Sequence, residues 1–250
     1  MKTLLHAIIW LGLLDLPVYA ETVVVGSKKF TESVILGDIA AQLMQASEIE
    51  ATHRRELGGT RVLWGALISG EIDVYAEYSG TLRNEILANE SVTDTQDLTA
   101  ALARFGVRMT PALGFNNTYA LGMMAETANA LGIARISDLI QHPTLAFGFS
   151  NEFMDREDGW PGLQQHYRLA QRQVRGMDHD LAYRALVAGQ IQVTDLYSTD
   201  AEIRYYGLRV LQDDAAFFPD YRAMLLYRAD LAERAPAAVV ALSRAVGRIS

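Results

Sequence analysis

The chain has 250 residues, half of them hydrophobic, and a net charge of −8. This length suits one large or two small globular domains. An acidic chain without a cluster of Lys and Arg is a poor candidate for nucleic-acid binding, so we expect no nucleic-acid partner. The chain has no cysteine and its five histidines are scattered, which excludes disulfides and zinc–thiolate sites and argues against a metal or other cofactor.

The N-terminus has the pattern of a secretory signal peptide. Lys2 gives it a basic start, residues 4–14 form an apolar core too short to span a membrane, and Pro17 then breaks the helix. Small residues follow at the expected cleavage positions. We therefore predict a signal peptide over residues 1–20, cleaved after Ala20, and a mature protein in the periplasm. The alternative is a buried N-terminal helix.

The first half of the mature chain alternates β-branched runs with segments of helical periodicity. In chain order we predict a strand over residues 21–26, a helix capped by Thr31, a strand over residues 49–57, a helix capped by Thr60 and ended by Gly70, and a strand over residues 72–78.

The second half repeats this order. In chain order we predict a strand over residues 144–149, a polar loop over residues 150–159, a helix over residues 161–167 with Pro161 in its first turn, a strand over residues 172–177, a helix capped by Asp178 or Asp180 and ended by Gly189, and a strand over residues 191–197.

One stretch of sequence occurs twice. ALISGEIDVYAEYS at residues 66–79 and ALVAGQIQVTDLYS at residues 185–198 share the frame A-L-x-x-G-x-I-x-V-x-x-x-Y-S. Alternating strands and helices imply parallel sheets with crossover helices, so the repeat predicts an α/β fold with two lobes of similar plan. Ligands of open α/β sheets lie at the carboxyl ends of strands, which places Tyr78 and Tyr197 in a cleft between the lobes. We expect the apolar positions and the Gly of the frame to serve only the core and the helix end.

Several polar loops follow strand ends, and their combination and order carry a resemblance. The loops are GSKKFTES, EYSGT, GFNNTYALG, NEFMDREDGWPG, YSTD and DDAAFFPDY. Together they resemble the substrate-binding proteins of ABC importers for glycine betaine, carnitine and choline, over residues 21–230. The resemblance implies a two-lobed periplasmic binding protein fold of type II, with parallel-rich sheets flanked by helices and the ligand in the interlobe cleft.

The same resemblance implies lobe boundaries and site residues. The first lobe would comprise residues 21–115 and 222–250 and the second residues 116–221, with the hinge near Tyr119 and Tyr221. A cage of four aromatic rings falls on Tyr78, Tyr119, Tyr197 and Tyr221. Asn117 falls at the edge of the cage. The groups that hold a ligand carboxylate fall on Lys28, with Lys29 as its alternative, and on Thr81 and Arg156.

The residue types suit a quaternary ammonium ligand. A trimethylammonium group is a cation without a hydrogen-bond donor, and aromatic faces attract it at roughly 0.5–2 kcal/mol per contact. Micromolar affinity needs about 8 kcal/mol. Charge-assisted hydrogen bonds from Arg156 and Lys28 to a ligand carboxylate would supply part of the remainder. An amphoteric ligand such as glycine betaine therefore fits these residues better than choline, which has no carboxylate.

The resemblance implies a non-enzymatic periplasmic binding protein. It would capture a quaternary-ammonium osmoprotectant and deliver it, as a monomer, to an ABC permease in the inner membrane. One alternative is the same class with choline, carnitine or ergothioneine as the ligand, and another is a solute-sensing receptor domain. A further alternative is an enzyme that uses the carboxylates of Glu77, Asp195 and Asp200. The sequence disfavours it, because it contains no nucleophile elbow, no metal-binding cluster and no Gly-rich phosphate loop. Because family members usually continue beyond the point where this chain ends, we expect either a truncated C-terminus or a first lobe without its closing helices.

Overall fold

The structure is a computed structural model that describes residues 22–249, so the predicted signal peptide lies outside the described residues. The strands are β1 Val23–Gly26, β2 Ala51–Arg54, β3 Val74–Tyr78, β4 Val107–Met109, β5 Tyr119–Met124, β6 Phe147–Ser150, β7 Val174–Met177, β8 Thr194–Tyr197, β9 Leu208–Val210 and β10 Ala223–Arg228.

The helices alternate with these strands along most of the chain. They are α1 Thr31–Gln45, α2 Thr60–Ser69, α3 Ser79–Thr81, α4 Thr95–Ala103, α5 Ala125–Leu131, α6 Asn151–Asp155, α7 Trp160–Tyr167, α8 His179–Val187, α9 Ala201–Tyr205, α10 Leu231–Arg234 and α11 Pro236–Ser243, with a π-helical turn over Leu82–Ile86 and a 3₁₀ turn over Ile136–Gln141. Within residues 22–249, none of the helices combines the length and the apolar composition needed to cross a membrane.

The first sheet has the strand order β2-β1-β3-β10-β4. β1 is parallel to β2 and β3, as the sequence predicts for strands joined by crossover helices. β10 is antiparallel to β3 and β4. Apolar side chains fill both faces of this sheet: Met44 of α1 and Leu242 of α11 belong to the core on one face, and Leu63 of α2 and Leu98 of α4 belong to the core on the other.

The second sheet follows the same plan. β5 pairs antiparallel with β8 and β9, and β6 pairs parallel with β7. A parallel bridge between Phe147 and Val193 joins the two parts, so the combined order is β7-β6-β8-β5-β9. β5 takes the place that β10 has in the first sheet. Each sheet therefore contains parallel strands from the repeated βα units and one antiparallel strand that the sequence analysis did not assign.

The strands of the two sheets come from separate parts of the chain. The first sheet uses residues 23–109 and 223–228, and the second uses residues 119–210. This separation supports the predicted lobes. Their boundaries stay a prediction, and we use the names first lobe and second lobe for residues 21–115 with 222–250 and for residues 116–221.

The two copies of the repeated frame have matching backbone roles. Gly70 and Gly189 both adopt left-handed backbone angles, with φ of 81° and 69°, at the ends of α2 and α8. Three residues beyond each Gly, a side-chain oxygen accepts a backbone N–H from the neighbouring strand region: Asp73 Oδ2 from Val24 at 2.8 Å, and Gln192 Oε1 from Ala146 at 2.9 Å. The repeat thus reflects one supersecondary unit used twice.

Two predicted helix caps are wrong. Thr31 is the first residue of α1, and Phe30 stands at its cap position without a side-chain hydrogen bond. Thr60 is the first residue of α2, and Gly59 precedes it. The hydroxyl oxygen of Thr60 instead accepts a hydrogen bond from Lys28 Nζ at 2.9 Å.

Two predicted loops are in part regular structure. Residues 150–159 contain α6, which Ser150 caps by accepting the N–H of Phe153 at 3.1 Å. The loop at residues 114–122 ends in β5, which starts at Tyr119. Between the two predicted caps of α8, Asp178 is the one that accepts a hydrogen bond, from the N–H of Asp180.

The two segments that cross between the lobes lie side by side. Asn116 and Arg222 form an antiparallel bridge. Asn117 N donates to Tyr221 O at 3.0 Å, and Tyr221 N donates to Asn116 Oδ1 at 2.7 Å. These bonds tie the two crossings together near the positions predicted for the hinge.

Candidate functional site

One pocket between the lobes brings together every residue that the sequence analysis assigned to ligand binding. These residues are Lys28, Tyr78, Thr81, Asn117, Tyr119, Arg156, Tyr197 and Tyr221. The sequence analysis did not select the other lining residues, which are Phe30, Thr31, Glu32, Ser33, Thr60, Glu152, His179, Asp180, Asp200 and Glu202. The structure thus places the predicted residues in one pocket, while their contacts with a ligand stay a prediction.

The aromatic wall of the pocket comes mainly from the second lobe. Tyr119 and Tyr197 face each other across the antiparallel pair of β5 and β8, and their ring centroids are 5.1 Å apart. Tyr221 packs edge-on against Tyr119 at 5.5 Å. Phe30 of the first lobe packs against Tyr197 at 5.5 Å. These contacts hold the rings of the wall against one another.

The four predicted cage tyrosines are neutral at physiological pH. Burial raises the pKa of Tyr78, Tyr119, Tyr197 and Tyr221 above the ordinary value for a phenol. The rings therefore present a quadrupole and a hydroxyl dipole to the pocket and no negative charge of their own.

A glycine lets Tyr221 lie close to the first lobe. A Cβ atom on Gly80 would come within 2.5 Å of the Tyr221 ring, so a larger residue there would push the ring away. On its other side, the Tyr221 hydroxyl donates to Asp158 Oδ2 at 2.6 Å. Tyr221 is therefore held from both lobes.

Lys28 lies in the pocket wall as half of a buried ion pair. Its Nζ donates to Glu77 Oε1 at 2.7 Å and lies 5.6 Å from the centroid of the Tyr78 ring. Burial raises the pKa of Glu77, and the charge of Lys28 acts against this rise. Lys29, the alternative, is exposed and forms an ion pair with Asp178 at 3.0 Å outside the pocket. Lys28 is the lysine that reaches the pocket.

Arg156 is also paired with a buried carboxylate. Its Nε donates to Asp158 Oδ1 at 2.7 Å and its Nη2 donates to Oδ2 at 2.5 Å, which is the two-pronged geometry typical of Arg with a carboxylate. Nη1 lies 3.7 Å from Glu152 Oε1. The guanidinium carbon lies 5.7 Å from the centroid of the Tyr119 ring. The positive charge of Arg156 thus borders the aromatic wall.

Glu32, which the sequence analysis missed, links both lobes at the pocket. Its Oε1 accepts hydrogen bonds from the Tyr78 hydroxyl at 2.5 Å and from Asn117 Nδ2 at 2.8 Å. Its Oε2 accepts from the Thr199 hydroxyl at 2.5 Å. The available signal was its place in the loop GSKKFTES, which also carries Lys28.

His179 is the second residue that was missed. Its Nε2 lies 3.1 Å from Asp200 Oδ2, its Nδ1 lies 3.8 Å from Asp195 Oδ2, and its ring centroid is 4.9 Å from that of Tyr197. Burial lowers the pKa of His179, but the hydrogen bond to Asp200 and the charges of Asp195, Asp200 and Asp180 outweigh burial and raise the pKa above its ordinary value.

The three carboxylates considered for an enzyme are not assembled into one site. Glu77 belongs to the first lobe and pairs with Lys28. Asp195 accepts two hydrogen bonds of 2.6 Å from Ser150, from its N–H and from its hydroxyl. Asp200 accepts from the hydroxyl of Tyr183 and from the N–H of Tyr197. Glu77 thus stands apart from Asp195 and Asp200, which share His179 as a partner.

Known proteins are similar to this chain in sequence and in fold. The family model described as the substrate-binding domain of the ABC-type glycine betaine transport system matches residues 21–246. The ergothioneine transport permease/ergothioneine binding protein EgtU of Helicobacter pylori is 34% identical over 236 residues, which are 92% of this chain and 42% of that protein. The chain thus spans less than half the length of this relative.

In two further comparisons, the alignment covers most of this chain and most of the other protein. The glycine-betaine-binding protein of Pseudomonas aeruginosa is 33% identical over 236 residues, which are 87% of this chain and 75% of that protein. A crystal structure of a glycine betaine/carnitine/choline ABC transporter has a TM-score of 0.71 and 29% identity, covering 91% of this chain and 88% of that one. This chain therefore belongs to the family of substrate-binding domains of ABC-type glycine betaine transport systems.

Proposed function

We propose that this chain captures a small quaternary-ammonium compound between its lobes, in the periplasm, and delivers it to an ABC permease in the inner membrane. The observation that carries the proposal is the aromatic wall, in which Tyr119 contacts Tyr197 and Tyr221 directly while Tyr78 lines the same pocket. The relatives named for ergothioneine and glycine betaine support a ligand of this class.

The rings account for a large part of the binding energy. A desolvated cation–π contact contributes roughly 0.5–2 kcal/mol, so four rings together give several kcal/mol. The trimethylammonium group offers no donor, and a pocket lined by neutral rings binds it without requiring one. Lys28, Thr81, Arg156 and Asn117 border the same pocket and would contact the part of the ligand that lies beyond the ammonium group.

Closure of the lobes around the ligand follows from the origin of these residues. Lys28, Tyr78 and Thr81 belong to the first lobe, and Tyr119, Arg156 and Tyr197 belong to the second. A ligand that contacts both groups binds the closed state better than the open state and therefore shifts the population toward closure. The closed form is the one we expect the permease to receive.

Calorimetric titration of the protein from Glu21 onward tests the proposal. The ligands are glycine betaine, choline, carnitine and ergothioneine, with glycine as the control because it has no methyl groups on its nitrogen. We expect at least one quaternary amine to bind with a dissociation constant of about 1 μM or below, and glycine to bind far more weakly. A folded sample that binds none of the four, or that binds glycine equally well, would contradict the proposal.

A further inference from the structure

We propose that Glu152 occupies the place of a ligand carboxylate, and that it makes the pocket favour quaternary ammonium compounds of net positive charge over zwitterions. This inference rests on the proposed function, because it concerns which quaternary amine the same pocket prefers. It also reverses the preference for an amphoteric ligand that the residue types alone suggested.

Glu152 reaches from the second lobe to the first. It belongs to α6, and its Oε1 accepts the N–H of Thr60, the first residue of α2, at 3.3 Å. The neighbouring Gly59 makes room for the carboxylate, since a Cβ atom there would lie 2.4 Å from Glu152 Oε2. Its side chain is only 14% exposed. The carboxylate is therefore enclosed in a fitted position at the pocket wall.

The groups around Glu152 are those that a ligand carboxylate would use. Arg156 Nη1 lies 3.7 Å from Glu152 Oε1. Thr60, which donates to Glu152, also accepts from Lys28 Nζ at 2.9 Å. Burial raises the pKa of Glu152, but the charges of Lys28 and Arg156 and the hydrogen bonds from Thr60 outweigh burial and lower it. Glu152 is therefore a carboxylate anion at neutral pH.

The balance of charge around this end of the pocket is negative. Lys28 is already paired with Glu77, and Arg156 is already paired with Asp158. Among the residues that the structure describes there, the two cations are in contact with three carboxylates: Glu77, Glu152 and Asp158. A cationic ligand reduces this excess of negative charge, whereas a zwitterion adds a fourth carboxylate beside Glu152.

Hydrogen-bond roles point the same way. An ionised carboxylate only accepts hydrogen bonds. Glu152 can therefore accept from a ligand hydroxyl, but it cannot pair with a ligand carboxylate, which would have to displace it from Thr60 and Arg156. The favoured ligand is a trimethylammonium monocation with a hydroxyl on a short arm, as in choline.

Titration of choline and glycine betaine into three proteins tests this inference. The proteins are the wild type, Glu152→Gln and Glu157→Gln. Glu157 is exposed, lies outside the pocket lining and is five residues from Glu152, so its substitution removes the same charge without touching the site. We expect the wild type to bind choline more tightly than betaine. In Glu152→Gln, the ratio of betaine affinity to choline affinity should rise by about tenfold or more, while Glu157→Gln leaves the ratio unchanged.

The possible failures are distinct from one another. A wild type that binds betaine more tightly than choline overturns the inference and leaves the proposed function standing, and this measurement does not depend on the folding of any variant. An unchanged ratio in a folded Glu152→Gln protein, verified by circular dichroism, also overturns it. A folded wild type that binds neither compound nor any other quaternary amine overturns the proposed function itself.

Discussion

The two copies of the repeated frame each bury a carboxylate, but they surround it with different chemistry. In the first lobe, Glu77 immediately precedes Tyr78, a predicted cage residue, and pairs with Lys28 at 2.7 Å. In the second lobe, Asp195 lies two residues before its tyrosine, accepts two hydrogen bonds from Ser150, and faces His179 at 3.8 Å. One carboxylate is thus paired with a lysine, and the other faces a histidine, the side chain whose ordinary pKa lies nearest to neutral pH.

This difference separates the work of the two lobes. The first lobe places the Lys28–Glu77 pair beside one ring, Tyr78. The second lobe places Tyr197 against Tyr119 and the imidazole of His179. A shared backbone plan therefore determines where a side chain enters the cleft, and the residues next to it determine what that side chain does.

Removing Glu77 should have the largest effect. We expect Glu77→Ala to lower the free energy of unfolding by about 3–5 kcal/mol, because the Lys28 ammonium would remain buried without its counter-ion. Denaturant unfolding followed by circular dichroism measures this. The double variant Lys28→Met with Glu77→Leu is the matched control and should recover most of the loss. A loss below about 1 kcal/mol for Glu77→Ala, the range of an exposed pair, would contradict the assignment.

Removing the ring of Tyr197 should have a smaller effect, and mainly on binding. We expect Tyr197→Ala to weaken binding of the preferred quaternary amine by roughly 0.5–2 kcal/mol, the contribution of one cation–π contact. Tyr205→Ala is the control, because Tyr205 is 80% exposed and outside the pocket lining. Calorimetric titration of both variants with the same ligand measures the difference in affinity. Equal affinities for the two variants would show that the second-lobe ring does not contact the ammonium group.

The titration of His179 should change the free energy of unfolding by the smallest amount of the three. The folded-state pKa of His179 is raised, so its ion pairing with Asp200 and Asp195 stabilises the fold fully below about pH 6.5, the unfolded value. This contribution is lost as the pH rises through the folded pKa, at no more than about 1.4 kcal/mol per pH unit for one proton.

Thermal or denaturant unfolding from pH 5 to pH 9 measures this contribution, compared between the wild type and His179→Gln. The wild type should lose more stability across that range than the variant does. His142→Gln, a substitution in the same lobe outside the pocket lining, should follow the wild type. If the stability of all three proteins depended on pH in the same way, His179 would not contribute to the pH dependence, and the prediction would be wrong.

The sequence predicted the repeated units well because their signals are local. Glycine marks the helix ends at Gly70 and Gly189, and alternating apolar runs mark the strands that follow. The resemblance to the family supplied eight of the residues that line the pocket, and the type II binding-protein fold it implied is the one that the chain adopts.

The contacts that join distant parts of the chain were missed. Glu32 and Thr199 are 167 residues apart in sequence, and Lys28 and Glu77 are 49 apart, so no local pattern indicates either contact. Thr60 is a residue type that often caps helices, but its hydroxyl oxygen accepts a hydrogen bond from Lys28 instead. Tertiary contacts of this kind override local preference.

The paired crossings have a consequence for how the ligand leaves. Tyr221 is part of one crossing segment. Tyr119 lies two residues after Asn117 of the other crossing segment, at the start of β5. Two rings of the predicted cage therefore lie on, or directly beside, the segments about which we expect the lobes to turn. If the chain works with a permease as we propose, opening the lobes would disturb the cage itself, so we expect opening and ligand release to be coupled.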